Sequence, residues 1–391
     1  MLPILIVGAG PVGLSLALAL SRNQVPVMIF EADAELNREI RASTLHPPTL
    51  ELLDEWGVID GVMAKGFRVD SLMYWERETR ECITSFDYGA IVADTPYPFR
   101  LQCPQHILTR VLMPHVQAAE TAVVHMNHTF VGYTDHGTHI EAEFETENGR
   151  KIIKGSYLCG ADGSASTVRK QANISFTGMT YADRFLLIGT DYDFSTLFPN
   201  FGPVNYIYDP KEWVIILRLP DLARVVFRLR EEETVEEATS DAALRDRLWR
   251  FVGEEVPFNI KTVQLYRVHQ RVAGTFWQGR VLLLGDAAHI NNPAGGMGMN
   301  SGIHDAADLA EKLTAVFQGA NLDSLLAEYD RTRRSLALES IQSYTDKNYK
   351  DLSATDPAYR QQRNDNLRAT AADPARAREY LLRAAMLADR I

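Results

Sequence analysis

Short continuous apolar runs, each followed by glycine, recur at three widely separated places along the chain. The first is Ile4 to Val7, the second begins at Tyr157, and the third is Leu282 to Leu284. Apolar runs without alternation are typical of parallel strands that are buried on both faces. The pattern therefore predicts a parallel sheet whose strands come from distant parts of the sequence.

The first run leads into a glycine turn and then a helical pattern. The turn has the G-x-G-x-x-G spacing and consists of Gly8, Gly10, Pro11, Val12 and Gly13. Its glycines permit a tight turn, a close approach of backbone to a pyrophosphate, and close packing of the helix on the sheet. A further run, Val27 to Phe30, ends in Glu31 and Ala32, which places a carboxylate near a ribose hydroxyl. A dinucleotide site follows, for either NAD or FAD.

The other two glycine-ending runs each carry an acid. Asp162 and Gly163 follow the middle run, and Asp286 follows the late run. The loop after Asp286 is rich in glycine, and we expect its backbone to lie against a flat ring. The loop residues predicted to contact the ligand are Gly296, Gly298, Met299 and Asn300. Because parallel strands present their carboxyl ends at one edge, all three segments are expected to converge on one long ligand.

A helix is predicted directly after this loop. Its apolar face consists of Ile303, Ala306, Ala307, Ala310 and Leu313. Asn300 or Ser301 is expected to cap the start of the helix. His289 precedes the loop and is expected to be buried beside Asp286, where it either takes part in the chemistry or only orients the loop.

An alternating pattern replaces the continuous runs between residues 176 and 270. The alternating segments are Val204–Tyr208, Trp213–Pro220 and Ala223–Arg230. In the last segment one face carries Arg224, Val226, Arg228 and Arg230, and the other carries Val225, Phe227 and Leu229. These segments predict an antiparallel sheet with one covered face.

The composition excludes several classes of function. The 391 residues are 46% hydrophobic and 23% charged, and the net charge of −11 argues against nucleic acid or an anionic membrane as partner. No apolar run approaches the roughly 20 residues that span a bilayer, and the first run lacks the basic flank of a signal peptide. The cysteines show no metal-binding spacing. We expect a cytoplasmic protein without a metal site.

As a set, the motifs resemble those of a known family. The G-x-G-x-x-G, the middle "GADGSASTVR" and the late "GDAAHINNPAGGMGMN" are similar to the FAD-dependent aromatic hydroxylases, single-component flavoprotein monooxygenases of the p-hydroxybenzoate hydroxylase fold. Arg41 and Gln105 fall where that family has an Arg and a Gln near the flavin. The resemblance implies that Asp286 holds the ribityl hydroxyls, and that Asp162 belongs to a segment serving both FAD and the nicotinamide nucleotide.

The same resemblance implies the reaction. NADH or NADPH is the transient reductant of FAD, and O2 then adds to the reduced ring to give a flavin hydroperoxide. Its distal oxygen passes to a small aromatic substrate, either phenolic or N-heteroaromatic. The cofactor supplies this chemistry, and the protein orients the ring and excludes water.

No repeat or linker divides the chain, so we expect an α/β fold of interleaved domains. The FAD-binding domain, Rossmann-like and discontinuous, is predicted to comprise residues 1–70, 101–175 and 271–345. Residues 71–100 and 176–270 are predicted to form the substrate-binding β-sheet domain. Residues 346–391 are predicted to form C-terminal helices, docked either on the core or on a second subunit of a homodimer.

Candidate catalytic and substrate residues have structural alternatives. A phenolic substrate is activated by losing its proton, and the candidates for receiving or relaying that proton are Tyr206, Tyr208 and His46. The two tyrosines equally suit packed positions on a strand, and His46 equally suits a helix cap. The carbonyl of Pro293 is expected to face the substrate. The remaining candidates, for binding a substrate carboxylate, are Arg218 and Arg228.

Other functions stay open at this stage. One alternative is a flavin enzyme of the same fold that catalyses epoxidation, Baeyer-Villiger oxidation or reduction of a double bond. Flavin-dependent halogenases usually carry a W-x-W-x-I-P stretch, which this chain lacks. A non-catalytic flavin-binding or NAD-sensing protein is a further alternative. We expect the protein to be a monomer or a homodimer. Phenols, hydroxypyridines, quinolones and polyketide-like rings are all candidate substrates.

Overall fold

The computed structural model describes residues 2–39, 41–198, 200–229 and 232–388. Arg230, predicted to lie on the polar face of its strand, falls outside the described residues. Within them, no helix is long and apolar enough to cross a membrane.

Twenty strands lie in the described residues. In chain order they are β1 Ile4–Val7, β2 Val27–Phe30, β3 Thr44–Leu45, β4 Phe67–Val69, β5 Ser71–Glu76, β6 Cys82–Asp87, β7 Arg100–Gln102, β8 Ala122–His125, β9 Thr129–Asp135, β10 Ile140–Thr146, β11 Gly149–Gly155, β12 Tyr157–Gly160, β13 Phe176–Thr190, β14 Val204–Tyr208, β15 Val214–Arg218, β16 Ala223–Leu229, β17 Ile260–Ala273, β18 Trp277–Gln278, β19 Val281–Leu283 and β20 His289–Ile290.

The same part of the chain contains twelve α-helices. They are α1 Pro11–Arg22, α2 Pro47–Glu55, α3 Ile59–Met63, α4 Gln105–Ala118, α5 Thr167–Gln171, α6 Val235–Thr239, α7 Asp241–Val252, α8 Gly298–Phe317, α9 Leu322–Ser335, α10 Gln342–Ser353, α11 Pro357–Ala372 and α12 Pro374–Ala384. A π-helical turn, Leu336–Ile341, joins α9 to α10.

A six-stranded sheet contains the glycine-ending runs of the sequence. Its order is β18-β19-β12-β1-β2-β8, and the strands from β19 to β8 are parallel to one another. Strands β1 and β2 have the bounds that their apolar runs predict, and all four residues of β1 are buried. The parallel order brings the carboxyl ends of β2, β1, β12 and β19 to one edge of the sheet.

An eight-stranded sheet forms the second layer, in the order β20-β17-β13-β16-β15-β14-β5-β6. It is antiparallel except where β14 pairs with β5. One face packs on α6 and α7, and the other carries Tyr74, Tyr206 and Val226. The expectation of one covered face is wrong, because α10, α11 and α12 fold back over the second face.

Ion pairs fasten the C-terminal helices to this sheet. Arg360 and Arg363 on α11 both bind the carboxylate of Glu76 on β5, at 3.0 Å each. The guanidinium of Arg363 also lies 3.6 Å from the centre of the Tyr208 ring. The helices therefore dock on the core of their own chain.

The late loop lies where the two sheets meet. Strand β20 joins the larger sheet by pairing with β17, with His289 opposite Val272. Asp286 precedes β20 by three residues and follows β19 of the smaller sheet. The mixed α/β architecture confirms the predicted fold class, whereas the exact domain ranges stay a prediction.

Helix α8 starts earlier than the sequence predicts. It begins at Gly298, and no side chain caps its N-terminus. The expected cap is therefore wrong: Asn300 and Ser301 lie inside the first turn, where the Asn300 amide bonds to neighbouring segments instead. The predicted apolar face is largely confirmed, since Ile303, Ala306, Ala310 and Leu313 are all at most 2% exposed.

Candidate active site

The glycine turn at the start of α1 shows two different reasons for glycine. Gly8 has φ +103°, and a Cβ there would lie 2.5 Å from the carbonyl oxygen of Ala161. A Cβ at Gly13 would lie 2.0 Å from the carbonyl oxygen of Gly8. At Gly10 a Cβ would meet no protein atom within 4 Å. Packing within the protein thus requires glycine at positions 8 and 13, but not at position 10.

The first turn of α1 is suited to an anion. Pro11 occupies its first position, no side chain caps it, and it contains no acidic residue. Its backbone N–H groups and the positive end of the helix dipole therefore face the edge of the sheet. Val12 packs against Gly302 of α8, because a Cβ at Gly302 would lie 2.6 Å from the Cγ2 atom of Val12.

Glu31 lies at the end of β2 beside this turn. Its carboxylate accepts the N–H of Ala9 at 2.8 Å and the N–H of Asp33 at 3.2 Å. Each carboxylate oxygen keeps a further lone pair for a hydroxyl. Ala32 is exposed next to it.

The middle acid has a structural task. Asp162 accepts hydrogen bonds from the hydroxyl of Ser166 at 2.5 Å and from the N–H groups of Thr167 and Val168 at 2.7 and 3.0 Å. These bonds hold the start of α5. Gly163, with φ +77°, has open space around its Cβ position. Arg169 on α5 donates to the carbonyl oxygen of Ala287 at 2.7 Å, which ties the middle segment to the late one.

Asp286 follows β19 and its side chain is exposed to the cleft at this edge. Desolvation by the surrounding protein raises its pKa, while the charges of His289 and Arg41 act in the opposite direction. Arg41 is itself 62% exposed and binds Glu39. Gln105 is the first residue of α4 and lies next to the segment that contains Arg41, because its N–H donates to the carbonyl oxygen of Ala42 at 2.8 Å.

Asn300 joins the late loop to the segment before α2. Its Oδ1 accepts the N–H of His46 and the hydroxyl of Thr49, both at 2.8 Å. Its Nδ2 donates to the carbonyl oxygens of Thr44 and Gly296, also at 2.8 Å. All its hydrogen-bonding capacity is thus used in holding the loop.

The rest of the loop is tightly confined. Gly296 has φ +70°, and a Cβ there would lie 2.9 Å from Thr44. Pro293 is exposed, and its carbonyl oxygen accepts the N–H of Gly296 at 3.0 Å, which closes a turn. Gly298 and Met299 open α8, and Met299 is 7% exposed. The turn leaves a second lone pair on the Pro293 carbonyl for a substrate.

A buried ionic cluster holds the base of the loop. Asp305 on α8 binds the His289 ring at 2.7 Å, Arg333 at 2.7 Å and the N–H of Gly285 at 3.0 Å. His289 thus bonds to Asp305 rather than to Asp286. Burial acts to raise the pKa of Asp305, but the charges of His289 and Arg333 outweigh it and lower that pKa. Asp305 is not among the residues predicted from the sequence, although an acid between Gly302 and Leu309 on the buried side of α8 was a signal.

His46 and Tyr206 are brought to one place beside Arg100. His46 directly precedes α2, but its side chain makes no hydrogen bond to the start of that helix. Its Nε2 donates instead to the carbonyl oxygen of Gly295 at 3.0 Å. Burial and the charge of Arg100 lower its pKa well below the usual value. Its Nδ1 is buried without a partner. Tyr206 stacks on Tyr74, with ring centres 5.2 Å apart.

Of the other candidate substrate residues, Tyr208 lies close to Tyr206, because its ring also stacks on Tyr74, with ring centres 5.9 Å apart. Tyr208 is 4% exposed and is covered by Arg363 of α11. Arg228 is paired with Asp183 through two hydrogen bonds of 2.8 and 3.1 Å. Arg218 is exposed at the end of β15. The structure does not gather these three side chains.

The edge of the six-stranded sheet fits a long dinucleotide such as FAD. The backbone at Gly10 and Gly163 is open, and the uncapped turn of α1 offers N–H donors to phosphates. Glu31 and Asp286 add carboxylates for hydroxyl groups at separate strand ends of the same edge. These N–H donors and carboxylate acceptors match a ligand whose phosphates are flanked by two groups that carry hydroxyls.

Comparison with known proteins identifies the family. Residues 1–343 match the family described as FAD binding domain. The chain is 30% identical to para-nitrophenol 4-monooxygenase of Pseudomonas sp., over 97% of this chain and 94% of that protein. It is also 30% identical to 6-hydroxy-3-succinoylpyridine 3-monooxygenase HspB of Pseudomonas putida, over 97% and 96% of the two chains.

A solved structure agrees with these matches. The crystal structure of p-nitrophenol 4-monooxygenase PnpA from Pseudomonas putida superimposes with a TM-score of 0.90 and 30% identity. The alignment covers 98% of this chain and 97% of that one. This chain belongs to the FAD-binding-domain family and is an FAD-dependent aromatic monooxygenase.

Proposed function

We propose that the enzyme oxygenates a small single-ring substrate carrying an ionisable hydroxyl, with NADH or NADPH as reductant and O2 as oxidant. The observation that carries this proposal is similarity over nearly the whole chain to two monooxygenases whose names specify a nitrophenol and a hydroxypyridine. Bound FAD supplies reduction and oxygen activation. A cytoplasmic location and a monomeric or dimeric state stay predictions.

The names of these relatives also support a position on the ring. Para-nitrophenol is oxygenated at C4, and 6-hydroxy-3-succinoylpyridine at C3. In both compounds that carbon lies opposite the hydroxyl and carries the substituent. An ionised hydroxyl concentrates electron density at the opposite carbon, which favours attack by an electrophilic oxygen. We infer the same position for the substrate of this enzyme.

The candidate residues have complementary proposed roles. Gly10 and the first turn of α1 hold the pyrophosphate, Glu31 accepts from the adenosine ribose, and Asp286 accepts from the ribityl chain. Uncapped N–H groups and accessible carboxylates support this assignment. Arg41, Gln105, Ala32, Met299 and the middle segment at Asp162 and Gly163 complete the proposed set of FAD contacts.

Tyr206 is the proposed partner of the substrate hydroxyl, supported by its place beside Arg100. His46 holds the late loop through Gly295, and the Pro293 carbonyl accepts from the substrate. Arg228 is less suited to a substrate carboxylate, because Asp183 already occupies its guanidinium. A role of Tyr208 or Arg218 in substrate binding stays a prediction.

The proposal is tested with FAD-loaded enzyme and a panel of 4-substituted phenols and 5-substituted 2-hydroxypyridines. We expect a compound of this panel to stimulate NADH or NADPH oxidation. With para-nitrophenolate, one NAD(P)H, one O2 and one proton give one quinone, one nitrite and one water. The quinone oxidises a second NAD(P)H to give hydroquinone, so one to two NAD(P)H are expected per nitrite, and one when an added chemical reductant traps the quinone. Reductant consumption that yields only hydrogen peroxide across the whole panel contradicts the proposal.

A further inference from the structure

Arg100 is a buried cation beside Tyr206, the residue proposed to bind the substrate hydroxyl. It lies on β7, and its side chain is only 2% exposed. One terminal nitrogen donates to the carbonyl oxygen of Ala384, near the C-terminus of α12, at 2.8 Å. Its Nε is buried without a hydrogen-bond partner in the described chain. An incompletely paired buried guanidinium is costly and calls for an explanation.

The groups around Arg100 carry no compensating negative charge. None of the ion pairs formed by the described residues includes it, and its neighbours are Tyr88, Tyr206, Tyr344 and His46. The Tyr88 hydroxyl is also buried without a partner, and burial raises its pKa, partly offset by Arg100. His46 is held neutral by burial. The described residues thus leave this positive charge uncompensated.

Two other arginines, Arg228 on β16 and Arg363 on α11, are compensated. Arg228 is bound by Asp183, and Arg363 is bound by Glu76. No ion pair of the described residues gives Arg100 such an acidic partner, and its positive charge lies beside Tyr206. An anion placed there would gain from a low-dielectric surrounding.

We propose that Arg100 is a positioning residue that selects the ionised, phenolate form of the substrate, acting through the hydroxyl of Tyr206. The inference rests on the proposed substrate class. Tyr206 presents its O–H to the phenolate oxygen, and the guanidinium behind Tyr206 stabilises the negative charge. The substrate proton is released to solvent on binding, so no carboxylate base is required at this place.

The ionisation of bound para-nitrophenol tests this inference, because the phenol and the phenolate differ in colour. The compound is titrated with pH on oxidised, FAD-loaded enzyme without reductant. We expect the wild-type enzyme to bind the phenolate and to lower the apparent pKa of the bound compound. In Arg100→Met that pKa should rise by about one pH unit, a tenfold change in ionisation. Arg100→Lys should keep most of the effect, and Tyr206→Phe should lose part of it.

A neutral analogue separates this role from a purely structural one. Para-nitroanisole has the same ring without an ionisable hydroxyl. Arg100→Met should weaken para-nitrophenolate binding about tenfold relative to para-nitroanisole. Equal weakening of both ligands, or no weakening, overturns the inference. Failure of the wild-type enzyme to bind the phenolate also overturns it.

A buried arginine elsewhere provides the matched control. Arg247 on α7 is 5% exposed and is paired with Glu212 and Glu233 on the opposite side of the sheet. Arg247→Met should leave the pKa of the bound ligand unchanged, and a shift as large as that of Arg100→Met contradicts the inference. Phenolate binding without any oxygenated product contradicts the proposed function but leaves the role of Arg100 intact, so the two failures are distinguishable.

Discussion

Asp305→Asn is expected to lower the free energy of unfolding by about 3–5 kcal/mol, because it removes the carboxylate that binds the buried guanidinium of Arg333 and the buried ring of His289. Asp305 is fully buried, and its carboxylate binds His289, Arg333 and the N–H of Gly285. Without the negative charge, Arg333 stays buried and unpaired. Chemical denaturation of the FAD-loaded protein at neutral pH measures the loss.

The same cluster predicts a pH dependence. The pKa of Asp305 in the folded protein is lowered, by His289 and Arg333 acting against burial, from about 3.9 in an unfolded chain. A lowered folded-state pKa stabilises the protein above the unfolded-state pKa, and this contribution is lost as the pH falls further. The difference in stability between wild type and Asp305→Asn should therefore be full above about pH 5 and should shrink below about pH 4.

Asp308 on the same helix is the matched control. It is partly buried and pairs with Lys312 one turn away at 2.6 Å. Asp308→Asn should cost less than about 1 kcal/mol, as partly exposed helix pairs usually do. Equal losses in the free energy of unfolding for the two substitutions would contradict the predicted stabilisation by the Asp305 cluster.

Gly10→Ala is expected to weaken FAD binding about 10- to 100-fold while leaving the stability of the FAD-free protein unchanged. A Cβ at Gly10 meets no protein atom within 4 Å, and the φ of −71° suits any residue. The methyl group would instead occupy the space in which the pyrophosphate approaches the backbone. Losing one charge-assisted hydrogen bond of about 1.5–3 kcal/mol corresponds to that range of affinity.

Titration of the FAD-free protein with FAD, followed by flavin fluorescence, measures this affinity. Thermal unfolding without FAD measures the stability. Gly132→Ala on β9 is the matched control, since a Cβ there also meets no protein atom within 4 Å, yet the site is far from the glycine turn along the chain. It should change neither quantity. Unchanged FAD affinity in Gly10→Ala would contradict the proposed place of the pyrophosphate.

The parts predicted well from the sequence depend on local signals. Continuous apolar runs specify β1 and β2, because a strand buried on both faces excludes alternation. The glycine at position 13 is dictated by a local contact, because a Cβ there would meet the carbonyl oxygen of Gly8 in the same turn. Such features can be read without knowledge of distant partners.

Long-range packing could not be predicted in this way. Arg100 and Gln102 alternate with Leu101 on β7, a pattern that normally indicates a solvent-facing side. Both are nevertheless buried: Arg100 donates to Ala384 of α12, and Gln102 accepts from the hydroxyls of Ser43 and Thr44. The docking of the C-terminal helices likewise depends on Glu76, nearly 300 positions away from its partners. The function of Asp305 depends on Arg333, which no local pattern connects with it.

Isotope labelling tests the central claim most directly. FAD-loaded enzyme, NADH or NADPH and para-nitrophenol, or the panel compound with the fastest turnover, are incubated under oxygen-18 gas in ordinary water. Any quinone is trapped at once by a chemical reductant, so that its oxygens do not exchange with water. We predict a para-dihydroxy product carrying one oxygen-18 atom. With a 2-hydroxypyridine of the panel, whose product is not symmetric, the label should lie at the carbon opposite the original hydroxyl. A product without the label, or label found only in hydrogen peroxide, would contradict the assignment.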